Sequence, residues 1–212
     1  MYFYQKFKKM SATATQTYKN FTNDAMTPRA FLEWERKQRV RHEFIDGKIC
    51  TMSGASRKHN KITFNLNGLL WFIQQSLEGF EAFSTDMRTY APQKGAYFYP
   101  DIVVIKGKDQ YLDNEFDTLI NPTVVFEVAS KSTKQFDKSK KFEHYKSIPS
   151  LEEYFLIAQN DAHIAHFYKI ETGEWVDGDI VRDPNATIKM RTLPIELKVG
   201  DIYRGIDFKS KR

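Results

Sequence analysis

Apolar residues recur along this chain at two spacings, one near 3.6 residues and one near two. The first is seen in Ile62, Leu66, Leu69, Leu70, Ile73 and Leu77, which predict one long packing helix stopped near Gly79. A shorter helix is expected at Thr27-Pro28, with Phe31, Leu32 and Trp34 as its apolar contacts. Thr is suited to cap the first amides there, and Pro to occupy the first helical position. Two β-prone runs flank Asp46-Gly47, so a hairpin is expected over 41–52, because a two-residue primed turn needs positive φ. Ser53-Gly54-Ala55-Ser56 reads as a loop. Further strands are expected over 82–90, 97–105 and 122–129, the first two parted by Pro92 and Gly95. A helix over 137–148 should end at Pro149. Strands over 153–159 and 163–169 should pair through a turn at Asn160-Asp161. Beyond residue 171, short strand candidates are broken by Gly173, Gly178, Pro184 and Pro194. The pattern predicts an α/β fold (mixed α+β), a mixed β-sheet flanked by few helices. Residues 1–25 carry a small, polar, aperiodic run and are expected to be a flexible tail on a domain spanning 26–212.

Composition narrows the class. A chain of 212 residues with 41% hydrophobic residues suits one ordinary domain with a real core and needs no covalent staples. The single cysteine, Cys50, excludes an internal disulfide framework and a zinc site built on several thiolates. Its alternation with Ile49 makes it a small core residue. The longest apolar runs fall far short of the roughly 20 residues a membrane helix needs. The basic N-terminus lacks the apolar core of a secretory signal, so a cytoplasmic protein is expected.

The formal net charge of +5 is uneven. Residues 1–10 carry Lys6, Lys8 and Lys9 and no acid. Residues 131–146 carry Lys131, Lys134, Lys138, Lys140, Lys141 and Lys146 against Asp137 and Glu143. Such a strip suits a phosphate-bearing partner, or else is a solvated helix face.

Two acids sit where a folded chain rarely tolerates them. Asp101 opens the run Ile102-Val103-Val104-Ile105, and Glu127 lies inside Val124-Val125-Phe126-Glu127-Val128. An ionised carboxylate in so apolar a strand is costly unless paired or bound to a cation. If the two strands are neighbours, both acids can face one spot, and such oxygen ligands suit Mg²⁺ or Mn²⁺. A salt bridge to one of the many lysines is the alternative. On a helix over 137–148, Phe142, Tyr145 and Ile148 define a packing arc that also contains Lys138 and Lys141. Helical arithmetic does not choose between those two lysines. Asp86 and Arg88 either line a cleft or pair with each other at a strand edge.

These residues, taken with their surroundings, resemble the Uma-type family of bacterial restriction-endonuclease-like proteins, within the PD-(D/E)xK nuclease superfamily. The resemblance is carried by Tyr99-Pro100-Asp101, by Asn121-Pro122-Thr123-Val124-Val125-Phe126-Glu127-Val128-Ala129-Ser130, and by Ser132, Thr133, Asp137, Lys141 and Tyr145. Glu43-Phe44-Ile45-Asp46-Gly47-Lys48-Ile49, His59 and Ile148-Pro149-Ser150-Leu151-Glu152-Glu153-Tyr154 are similar as well. It implies a restriction-endonuclease-like core and a Mg²⁺-dependent endonuclease that hydrolyses DNA phosphodiesters with a metal-activated water. Asp101, Glu127 and the backbone carbonyl of Val128 would be metal ligands. Lys141 would orient the water or stabilise phosphate charge. Glu43 would serve as an upstream acid. His59, Lys131, Lys134 and Lys138 are the candidates for contact with nucleic acid. A homodimer is implied by the habit of the superfamily.

The usual superfamily pattern places a lysine two residues after the glutamate, on the same strand face. Ala129 occupies that position here, so the lysine must come from the helix. That substitution also keeps open a non-catalytic nucleic-acid-binding module, or a protein-interaction role, on the same fold.

Overall fold

The computed structural model describes residues 17–19, 26–52, 54–129 and 141–209. The first strands are β1 (Thr17–Lys19), β2 (His42–Ile45) and β3 (Lys48–Thr51), then β4 (Phe80–Ser84), β5 (Arg88–Ala91) and β6 (Ala96–Phe98). They are followed by β7 (Ile102–Lys106), β8 (Thr118–Leu119), β9 (Val124–Ala129), β10 (Glu153–Ala158) and β11 (Ile164–Lys169). The last three are β12 (Trp175–Val181), β13 (Thr187–Lys189) and β14 (Glu196–Lys198). The described helices are α1 (Pro28–Glu35), α2 (Arg57–Gln74), α3 (Phe142–Tyr145) and α4 (Val199–Ile202).

Two six-stranded sheets form the body, in the orders β1-β3-β2-β6-β5-β8 and β12-β11-β10-β9-β7-β4. Both mix directions. β5 and β8 run parallel in the first sheet, β9 and β10 in the second, and the other pairings are antiparallel. This is the mixed sheet with flanking helices that the sequence pattern implies.

The period of two sorts the strands into layers. Along β9, Val124, Phe126 and Val128 pack into a core with Ile62, Leu66 and Leu70 of α2 and with residues of β13, β14 and α4. The alternate residues, Val125 and Ala129, enter a second core with Ile45 of β2, Phe98 of β6 and Phe142 and Tyr145 of α3. A third core sets Phe31 and Leu32 of α1 against Phe44, Ile49 and Tyr97 on the outer face of the first sheet. The order of layers is therefore α1, first sheet, second sheet, α2, and side chains from both sheets meet in the middle.

Local chemistry explains the ends of these elements. Thr27 accepts from the amide of Ala30 at 3.2 Å and starts α1, and Ser56 accepts from the amide of His59 at 3.1 Å and starts α2. The β2–β3 turn has φ of 51° at Asp46 and 73° at Gly47, as a primed turn requires. Cys50 is fully buried, as expected of a core residue.

Three expectations of extent are corrected. The run 82–90 is two strands, β4 and β5, which belong to different sheets and are parted by a turn after Ser84. The run 97–105 is likewise β6 and β7, again in different sheets. Pro100 between them has no N–H for a ladder, so pairing ends there and the chain crosses from sheet to sheet. α2 stops at Gln74, short of Gly79, where the Gln74 amide side chain bonds the carbonyl of Phe80 at 3.2 Å. β1 lies inside the segment expected to be a tail and pairs antiparallel with β3; the rest of residues 1–25 falls outside the described residues. So do residues 130–140, which include the first four residues of the expected helix; its described part holds α3, which ends at Tyr145, and Phe142, Tyr145 and Ile148 are all buried as the arc predicts. Among the described residues no helix is long and apolar enough to cross a membrane.

Candidate active site

Asp101 stands one residue before β7. β7 pairs with β9 in the register Ile102 opposite Phe126 and Val103 opposite Val125. One further step sets Asp101 opposite Glu127, and opposed residues share a face. Both therefore project with Val103, Val125 and Ala129 into the layer between the sheets. From the other side, β2 turns Phe44 outward to α1, so its neighbours Glu43 and Ile45 face the same layer. Three carboxylates thus converge from three strands through period-two geometry alone. All three are buried, Glu43 completely.

Lys141 enters this layer from the residue before α3, with its backbone already helical. Its ammonium lies 2.8 Å from Oε1 of Glu43 and 2.8 Å from Oε1 of Glu127. It also sits 5.8 Å from the ring centre of Phe98 and 5.9 Å from that of Tyr145. This lysine comes from outside the strand that carries Ala129, and it ties one sheet to the other. Tyr145, one turn further along, donates its phenol to Glu127 Oε1 at 2.9 Å. Burial, together with the charge of Glu127, raises that phenol well above its ordinary range, so it stays a donor.

Asp101 is held from two directions. The amide of Val128 donates to its Oδ2 at 2.7 Å, and His59 Nε2 lies 3.0 Å from each carboxylate oxygen. His59 belongs to the first turn of α2, so the Ser56 cap fixes its approach. On the first-sheet side, the amide of Tyr99 donates to Glu43 at 3.3 Å.

The structure thus brings together Asp101, Glu127, Glu43, Lys141, His59 and the backbone of Val128. Lys131, Lys134 and Lys138 lie outside the described residues. Asp86 and Arg88 do not pair with each other. Asp86 pairs with Arg41, while buried Arg88 bonds the Tyr99 phenol at 2.9 Å and Thr118 at 3.0 Å. The sequence reading counts Tyr99 and Tyr145 among the residues that carry the family resemblance, and Tyr145 on the packing arc, but gives neither a role in the site. The signal for Tyr145 was its spacing, four residues past Lys141 on one helical arc.

The donor set can be tested against a metal. Among the described residues no group of three or more His, Cys, Asp and Glu side chains is arranged to enclose a metal ion. The oxygen donors that the opposed acids offer are the Asp101 and Glu127 carboxylates. That fits Mg²⁺ or Mn²⁺, since Mg²⁺ is commonly held by one or two carboxylates and keeps several waters. It suits zinc and copper less, since both favour nitrogen or sulfur ligands in the set.

Comparison with known proteins gives the chain a family and a shared fold. Residues 28–201 match the family model described as "Uma2: Putative restriction endonuclease". The uncharacterised protein sll1609 of Synechocystis is 35% identical over 174 residues, covering 82% of this chain and 97% of its own. A second Synechocystis protein, slr1290, is 29% identical over 185 residues, covering 86% and 94%. The crystal structure of a protein from Anabaena variabilis, described as "a putative nuclease belonging to DUF820", superposes with a TM-score of 0.69 at 18% identity. It covers 84% of this chain and 97% of its own, and shows the shared fold.

Proposed function

This chain belongs to the Uma2 family, and we propose that it is a divalent-metal-dependent endonuclease that hydrolyses DNA phosphodiesters. The observation that carries the reading is Asp101 opposite Glu127 at the end of β7, with Lys141 inserted beside Glu127. Family membership supports the nuclease class.

Each residue has a distinct task in this reading. Asp101 and Glu127, with the carbonyl of Val128, would hold Mg²⁺ or Mn²⁺. When bound, such a cation polarises a phosphoryl oxygen and acidifies water. His59 and the Val128 amide fix the Asp101 carboxylate, so no reorganisation is needed as charge develops. Lys141 places a positive charge beside Glu127, suited to steadying a water or the phosphate as negative charge grows on it. Glu43 holds Lys141 from the other side, and Tyr145 restrains the Glu127 carboxylate. Lys131, Lys134 and Lys138 follow β9 directly in sequence and are the candidates for phosphate contact, to be read through the salt dependence of binding.

The test is calorimetric titration of Mg²⁺ and Mn²⁺ into the wild type and Asp101→Ala/Glu127→Ala, followed by Mg²⁺-dependent cleavage of plasmid DNA. Binding and cleavage are expected in the wild type, with both lost in the double variant while the melting transition persists. Cleavage that survives the double substitution removes the site. A single observation favours a second reading: Ala129 stands where the superfamily lysine is usual. A non-catalytic DNA-binding module on this fold would bind DNA with strong salt dependence and yield no product.

A further inference from the structure

α2 presents two unlike faces. Ile62, Leu66 and Leu70 lie in the core. On the opposite side, within about 100° of arc at 3.6 residues per turn, lie Phe64, Gly68, Trp71 and Phe72. The three aromatic side chains are 70%, 64% and 71% exposed. Single exposed apolar residues are ordinary, but three large rings on one helix face form a contiguous patch of the kind that marks an interaction site.

Gly68 is the second anomaly. It lies in mid-helix, where glycine is a poor helix former. A Cβ added there meets nothing within 4 Å among the described residues, so their packing gives no reason for glycine. A close approach by another backbone does. The charges around the patch are ordered too. Its N-terminal end carries Arg57 and Lys61, with Lys61 5.3 Å from the Phe64 ring centre. The other end runs out to Gln75 and then Glu78.

We propose that this face of α2 is the contact between two copies of the chain, packed antiparallel about a twofold axis beside Gly68. Such an axis sets Phe64 against Phe72 of the partner subunit. It brings the basic end of one α2 toward the end of the other, where Glu78 of the partner subunit lies. Antiparallel helices also align their dipoles favourably. Taking rings of about 150–250 Å² each, the patch offers roughly 300–500 Å² per copy. A standard interface needs about 800 Å² per partner, so flanking residues supply the rest. A nucleic acid fits the patch less well, because the positive charge sits at one end and the aromatic end leads to an acid. The proposal does not depend on the nuclease reading.

Sedimentation velocity of the full chain over a micromolar concentration series tests it. The wild type is expected to be a dimer, and Phe64→Glu or Trp71→Glu to weaken it at least 100-fold with unchanged circular-dichroism melting. Gly68→Lys should weaken the dimer without lowering helix content, which a purely structural glycine would not do. Arg57→Glu should weaken it, and adding Glu78→Arg should recover it. A monomeric wild type overturns the proposal, as does a dimer indifferent to the Phe64 and Trp71 variants. Lost DNA binding in fluorescence anisotropy at unchanged oligomeric state also overturns it and gives the face to nucleic acid.

Discussion

Lys141 pairs with two carboxylates that reach it from different sheets, and all three groups are buried. Removing one partner of such a set leaves an uncompensated charge away from water. Lys141→Met is therefore expected to cost about 3–5 kcal/mol, measured by urea denaturation. Adding Glu43→Gln should recover part of the loss. That recovery separates charge balance from lost packing. Asp117 carries a different electrostatic prediction. Burial opposes its ionisation, but the hydrogen bonds from Arg36 and Thr118 and the charge of Arg88 outweigh it and bring its carboxyl down to about 2. A carboxyl lower in the folded state than the ~4 of an unfolded chain stabilises the fold above that value. The contribution drains away as pH falls toward about 2. Asp117→Asn should lower the denaturation midpoint at neutral pH and flatten its further fall as the pH drops from ~4 toward about 2. The residue types at these positions were readable as chemistry: an acid amid valines demands a partner. Which lysine answers that demand was not readable from helical spacing, which admits Lys138 and Lys141 alike; only the family resemblance singled out Lys141.

At the scale of elements, the placement of the site depends on where strands and helices begin. α2 starts at Ser56, whose hydroxyl accepts from the amide of His59 and also donates to Gln159 at 2.7 Å. Ser56→Ala is expected to cost ~1 kcal/mol through the lost cap. It should loosen the first turn and with it the approach of His59 to Asp101. Hydrogen exchange at residues 57–60 measures the fraying, and Ser56→Asp, another good cap, should restore protection. The hairpin turn, both caps and the α2 stripe were legible because each depends on residues close in sequence. The splits within 82–90 and 97–105 were not. Each run keeps strand-forming residues on both sides of the break, and local propensity does not say when a chain changes sheets. In the second run Pro100 was the available sign, since a residue without an N–H ends a ladder.

For the whole molecule, the second sheet is the central layer, covered by α2 on one face and by the first sheet on the other. Every residue of β9 and β10 is buried, whereas β12 at the sheet edge is mostly not. Amides of β9 and β10 are therefore expected to exchange only through global unfolding, and those of β12 earlier, by native-state hydrogen exchange. Equal protection across the sheet would contradict that layering. The sequence by itself determined the local devices: caps, the primed turn, the faces of α2 and the alternation that points Asp101, Glu127 and Glu43 away from their apolar neighbours. Each follows from backbone geometry acting over a few residues. Tertiary structure alone decided that β7 and β9 pair in the register opposing the two acids. It also decided that Glu43 arrives from a second sheet and that Lys141 and Tyr145 both meet Glu127. Those contacts join residues up to about a hundred positions apart (Glu43 to Lys141). Their register is set by how the cores pack, and no local pattern encodes that.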